Sequence, residues 1–89
     1  MQTTEVTISN KLGLHARAAA KLVAVADGYG ADVMVDKDGQ KVNGKSIMGV
    51  MMLAASRGTV LTLSADGEGE QEVLDALVQL IDGKFGEGE

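Results

Sequence analysis

The stretch Ala31-Asp32-Val33-Met34-Val35-Asp36-Lys37-Asp38-Gly39-Gln40-Lys41-Val42-Asn43 decides the fold. Over residues 31–36, Ala31, Val33 and Val35 alternate with Asp32, Met34 and Asp36, the period of a strand with one face buried. Asp38-Gly39 is a residue pair that tight hairpin turns favour, because their central positions call for a positive φ. The chain therefore turns straight back, and Gln40 to Asn43 forms a second strand antiparallel to the first.

Working outward toward the N-terminus, Ala16 to Asp27 is rich in alanine and predicts a first helix of about three turns. Ala16, Ala19, Ala20 and Val23, with Ala26 or Leu22, form its apolar spacing, and Gly28 is its stop. Before it, Thr4 to Ser9 alternates Val6 and Ile8 with Glu5, Thr7 and Ser9, a half-buried strand that Asn10-Lys11-Leu12-Gly13 breaks. Toward the C-terminus, Gly44-Lys45-Ser46 precedes Ile47 to Leu53, a short helix with Ser46 at its N-cap, kept weak by Gly49. Arg57-Gly58 turns into another alternating strand, Thr59 to Ala65. Asp66-Gly67 opens a last helix with Glu68, Glu70 and Glu72 at its start, where negative charge suits the helix dipole. Val73, Leu74, Leu77, Val78 and Ile81 give that helix a buried stripe, Gly83 ends it near Lys84, and Phe85 to Glu89 is expected to fray.

The order strand, helix, strand, strand, helix, strand, helix (βαββαβα) describes an α+β fold. It is an open-faced β-sandwich, a four-stranded antiparallel sheet with three helices on one face. At 89 residues the chain is expected to form a single domain over 1–89. A composition of 45% hydrophobic and 24% charged residues is that of a soluble globular protein. Phe85 and Tyr29 are its only aromatic residues, too few for a base-stacking sheet, so no nucleic-acid partner is expected. Absence of cysteine together with the single His15 argues against thiolate or multi-histidine metal sites. No metal and no cofactor are expected. The N-terminus lacks a signal-peptide pattern, and the apolar runs near Ala18 to Ala26 and Ile47 to Ala55 are far shorter than a membrane span. A cytoplasmic protein without a membrane partner is the expectation.

The net charge of −5 is unevenly placed, with +2 over residues 1–63 and −7 over residues 64–89. The body is mildly basic around Lys11, Arg17, Lys21, Lys41, Lys45 and Arg57, too weakly for duplex DNA but suitably for a phosphate or an acidic partner.

Chemistry concentrates in Gly13-Leu14-His15-Ala16-Arg17, where a loop becomes the first helix. A helix start offers unpaired backbone N–H groups and partial positive charge, which together favour a phosphate. His15 at its mouth is a candidate nucleophile through a ring lone pair. Arg17 can present a permanently charged planar fork to phosphoryl oxygens, and the backbone at Ala16, Arg17 and Ala18 completes the candidate phosphate cradle. On residue types alone, His15 as a cap and Arg17 as a solvated charge remain open.

The run GLHARAAAKL with ISNKL before it, and the later run KSIMGVMMLAASRGT, resemble the histidine-containing phosphocarrier (HPr) family of the bacterial phosphoenolpyruvate:sugar phosphotransferase system. The resemblance spans nearly the whole chain. It implies that His15 is phosphorylated on Nδ1 by enzyme I and hands the phosphoryl group to IIA domains, with Arg17 as the phosphate-site arginine. It further implies that Ser46 matches the serine modified by HPr kinase/phosphorylase. The nitrogen-type branch of the family stays open as an alternative to the sugar-type, and neither the sugar nor the pathway is specified. A protein of this kind is a phosphoryl carrier, not an independent enzyme, and is expected to be a monomer. The family's usual GLHARPA has proline where this chain has Ala18, so Ala18 restores an N–H and removes some rigidity. Ala24 and Asp27 stand where basic residues are frequent, which weakens steering toward acidic partners. The expected docking surface is Ala20 on the first helix with Ile47, Met48, Met51 and Met52 on the second, Met48 and Met52 being the most exposed.

Two other readings stay open from sequence. One is a small acylphosphatase-like enzyme, against which no glycine-rich phosphate loop precedes Arg17. The other is a regulatory binding module switched at Ser46 without sugar transport.

Overall fold

The structure is a computed structural model that describes residues 1–88. The elements run β1 Gln2–Thr7, α1 Ala16–Asp27, β2 Asp32–Lys37, β3 Gln40–Asn43, α2 Ile47–Met52, β4 Val60–Asp66 and α3 Glu70–Asp82, followed by a 3₁₀ turn at Lys84–Gly86. The strands form one sheet in the order β1-β4-β2-β3, every neighbouring pair antiparallel. The expected α+β architecture is therefore the observed one.

Register follows from the alternation. Val6 lies opposite Leu61, and Val35 lies between Leu63 on β4 and Val42 on β3. Val6, Val33, Val35, Leu61, Leu63 and Ala65 all point into one core, whereas Met34, Thr62 and Ser64 on the other face stay half-buried. A one-residue slip would exchange these two sets, so burial of a single face holds the register. The helices add Leu22, Val23, Val50, Val73, Leu74, Leu77 and Ile81 to the same core cluster. Among the described residues no helix is long and apolar enough to cross a membrane.

Besides β1, which runs Gln2–Thr7 rather than Thr4 to Ser9 and so leaves the buried Ile8 just beyond the strand, three expectations need correction. In α1 the buried residues are Ala18, Ala19, Leu22, Val23 and Ala26, while Ala16 and Ala20 are exposed. Alanine carries too little side chain to set the phase of a helix; Leu22 and Val23 set it. At the other end of the chain β4 continues to Asp66, and α3 starts at Glu70 with Gly69 as N-cap at φ 80°, so Glu68 precedes the helix. Glu70 and Glu72 do occupy its first turn.

The third correction bears on the site. Phe85 is fully buried, and the chain around it is tied down. The Lys21 ammonium donates to the Phe85 carbonyl at 2.6 Å. Lys84 and Phe85 take φ of 57° and 55°, a left-handed conformation that costs non-glycine residues about 1–2 kcal/mol each. Burying an aromatic ring offsets much of that cost, since a fully buried Phe contributes about 1.5–3 kcal/mol. Residues 85–87 are thus docked rather than frayed, Gly88 is exposed, and Glu89 lies outside the described residues.

Candidate functional site

Gly13 shapes the approach to α1. It has φ 66°, and a Cβ there would lie 2.4 Å from the Ala55 carbonyl oxygen. That close approach lets Leu14 N–H donate to the same oxygen at 2.9 Å, and Leu14 is buried. His15 follows as the N-cap, in extended conformation at φ −71°, ψ 176°, and its side chain does not cap the helix. The first helical bond runs from Ala19 N–H to the His15 carbonyl at 2.8 Å. The N–H groups of Ala16, Arg17 and Ala18 therefore precede the ladder and project from the positive end of a twelve-residue helix. Arg17 and Ala16 are exposed, and the Ala18 methyl group is buried, so Ala18 can serve a phosphate only through its backbone.

A surface cleft joins His15, Ala16 and Arg17 with Lys11, Leu12, Gly86 and Glu87. Among the described residues Arg17 forms no ion pair, which leaves its guanidinium available beside two other positive features, Lys11 and the helix terminus.

The ring of His15 is not loose. Its Nε2 is hydrogen-bonded to Glu87 Oε2. The other carboxylate oxygen, Oε1, accepts from Asn10 Nδ2 at 3.0 Å, and the same Asn10 nitrogen donates to the Gly13 carbonyl at 2.8 Å. Asn10 is fully buried, and its Oδ1 has no partner among the described residues. The hydrogen bonds from Asn10 and then His15 hold the Glu87 carboxyl below its ordinary range, with a further contribution from Lys21. An ionised carboxylate only accepts, so in the neutral ring the proton sits on Nε2 and the lone pair on Nδ1. Among the described residues Nδ1 takes no hydrogen bond.

Ser46 caps α2 as its sequence context predicts: Oγ accepts from Gly49 N–H at 3.1 Å. A Cβ on Gly49 would sit 3.3 Å from that oxygen, so glycine there leaves room for the cap while weakening the helix. Val50 and Leu53 enter the core, and Ile47, Met48, Met51 and Met52 are exposed by 43%, 71%, 39% and 68%. All four thus lie on the surface, with Met48 and Met52 most open. Ala20 is exposed as well. The structure packs α2 against α1 but does not bring Ser46 or the methionines into the His15 cleft.

Three neighbours of His15 were invisible to sequence reasoning. Leu12 is a loop residue, yet it is 68% exposed and lines the cleft. Asn10 reads as a turn former, and Glu87 falls in a segment without periodicity. The available signal was Phe85, one of the chain's two aromatic residues, lying just past a helix stop where a solvated tail has no use for it.

A family model described as the PTS HPr component phosphorylation site matches residues 2–83. The chain is 58% identical over 90 residues to the phosphocarrier protein HPr of Pseudomonas aeruginosa, covering all of both chains. Among solved structures, HPr-C-His from Thermoanaerobacter tengcongensis superposes with a TM-score of 0.94 at 50% identity, covering 98% of each chain. A structure of an HPr dimer from the same organism gives 0.79 at 50% identity, covering 98% of this chain and all of that one. Fold, sequence and site together define a phosphocarrier protein, not an independent catalyst, which sets aside the acylphosphatase-like alternative. The chain belongs to the HPr family of the phosphotransferase system.

Proposed function

We propose that His15 accepts a phosphoryl group from phospho-enzyme I and passes it to IIA domains. The carrying observation is the cleft at the start of α1. It collects in one place a histidine whose neutral ring keeps its lone pair on Nδ1, the start of α1 with its free N–H groups, and an Arg17 guanidinium that forms no ion pair among the described residues. Attack by Nδ1 forms the N–P bond while the donor's bond to phosphorus breaks and its electron pair returns to the donor. The phosphoryl oxygens fall to the helix terminus and Arg17, which stabilise their charge without reorganising. No proton need leave the ring, because the Nε2 proton is retained throughout.

Docking falls to the surface of Ala20, Ile47, Met48, Met51 and Met52. Flexible methionines suit a patch that must fit a donor and then an acceptor. Ser46, at the edge of this patch, is a regulatory phosphorylation site for an HPr kinase/phosphorylase. The protein acts as a cytoplasmic monomer of one domain. A purely regulatory module switched at Ser46 makes no use of the arrangement around His15, so the carrier reading is preferred.

The test is chemical. Protein labelled by enzyme I and phosphoenolpyruvate should lose its label in acid and keep it in base, the behaviour of phosphohistidine, and His15→Ala should take no label. A label stable to acid, or one that persists in His15→Ala, would refute the assignment.

A further inference from the structure

We infer that Glu87 is a positioning residue for phosphoryl transfer at His15. Its carboxylate holds the Nε2–H so that the lone pair resides on Nδ1, and it stabilises the ring as positive charge develops during attack. This inference rests on His15 being the phosphoryl acceptor.

The placement of Glu87 is built by the residues around it. Phe85, buried two residues earlier, anchors the segment, and the Lys21 ammonium clamps its backbone through the Phe85 carbonyl. Gly86 at φ 76° then turns the chain back toward α1. The carboxylate arrives only 15% exposed and is gripped from both sides, Oε2 by His15 and Oε1 by the fully buried Asn10. Asn10 is itself fixed to the Gly13 carbonyl, in the loop that delivers His15 to the helix. Ring and carboxylate are thus referenced to the same piece of backbone.

This arrangement has a chemical consequence. When Nδ1 donates its pair to phosphorus, the imidazole gains positive character and its Nε2–H becomes a stronger donor. A carboxylate already bonded there strengthens its interaction in the transition state, which accelerates the step. The carboxylate lies at the Nε2 edge of the ring, so it leaves the Nδ1 edge to the incoming group. The positive groups nearby are Lys11 and Arg17 in the same cleft and Lys21 behind the segment. They balance the carboxylate, which keeps a dianionic phosphoryl group from meeting a net negative site.

The experiment measures phosphoryl acceptance from phospho-enzyme I for the parent, Glu87→Gln, Glu87→Ala and His15→Ala, together with the ring tautomer of unphosphorylated protein by ¹⁵N NMR. Loss of a partly buried, charge-assisted bond should slow Glu87→Ala about ten-fold in kcat with KM unchanged. Glu87→Gln, which keeps an acceptor oxygen but no charge, should fall between it and the parent. The tautomer readout is independent of transfer: the share of Nε2-protonated neutral ring should drop in Glu87→Ala. An unchanged tautomer in Glu87→Ala, or a kcat equal to the parent's while His15→Ala takes no label, overturns the positioning role alone. Labelling that persists in His15→Ala overturns the acceptor assignment and this inference with it.

Discussion

Replacing Phe85 by alanine tests whether the C-terminal segment is part of the site or an appendage. The ring is fully buried in the core cluster, where truncating Phe to Ala costs about 3–5 kcal/mol. Part of that is recovered, because an undocked segment no longer needs left-handed φ at Lys84 and Phe85, each worth roughly 1 kcal/mol or more. The expected net loss is about 1–3 kcal/mol, which in a domain of this size lowers Tm by roughly 5–25 °C. Urea titration followed by circular dichroism reads the stability directly. A second readout is local: the Glu87 carboxyl, held below its ordinary value of 4.5 by Asn10 and His15, should return to that value once the segment is released. The two readouts must move together. A loss below about 1 kcal/mol, or a Glu87 titration that stays depressed, would show that Phe85 does not anchor the carboxylate against His15.

Further outcomes follow from the same geometry. Ala18 is in the first turn of α1, ahead of the first helical hydrogen bond, so Ala18→Pro should be tolerated and should stabilise the fold by about 0.4–1 kcal/mol through the unfolded chain; a clear drop in Tm would contradict this. Ser46→Asp adds negative charge at an N-cap beside Ile47 and Met48, which the helix dipole accommodates. It should therefore retain its Tm yet slow acceptance from enzyme I roughly two- to ten-fold at low salt, less at high salt. Equal rates at low salt would refute the electrostatic reading, and a collapsed Tm would replace it with misfolding. The depressed folded-state value of Glu87 means that its contribution to stability is present above the ordinary value of 4.5 and is lost as pH falls through the lower folded value. Glu87→Gln should therefore lose less stability than the parent on acidification below pH 4.5, measured by urea midpoints; parallel curves would refute it.

Legibility in the sequence followed the strength of the local signal. Val33 and Val35 with the Asp38-Gly39 turn, Val6 with Ile8, and the stripe from Val73 to Ile81 each combine period, side-chain bulk and turn chemistry, so the sheet and α3 could be read directly. In α1 the element was legible but its face was not, since alanines at 16, 18, 19 and 20 leave the phase to Leu22 and Val23. His15 and Arg17 were accessible because a helix start carries its own electrostatics. Their partners were not. Asn10 and Glu87 are 77 residues apart, and no periodicity links a loop residue to a carboxylate beyond a helix stop. The buried Phe85, with the Lys21 clamp on its carbonyl and the turn at Gly86, creates that contact. Ser46 as a cap needed nothing more than its local order, and the structure agrees.

The most direct test of the central claim follows one phosphoryl group through the protein. The parent is charged with enzyme I and phosphoenolpyruvate, its intact mass is measured, the modified residue is mapped at alkaline pH, and a IIA domain is then added. The account predicts a single added phosphoryl group, located on His15, that disappears from this protein and appears on the IIA domain. A phosphoryl group mapped to another residue, or one on His15 that only hydrolyses to inorganic phosphate when the IIA domain is added, would contradict it.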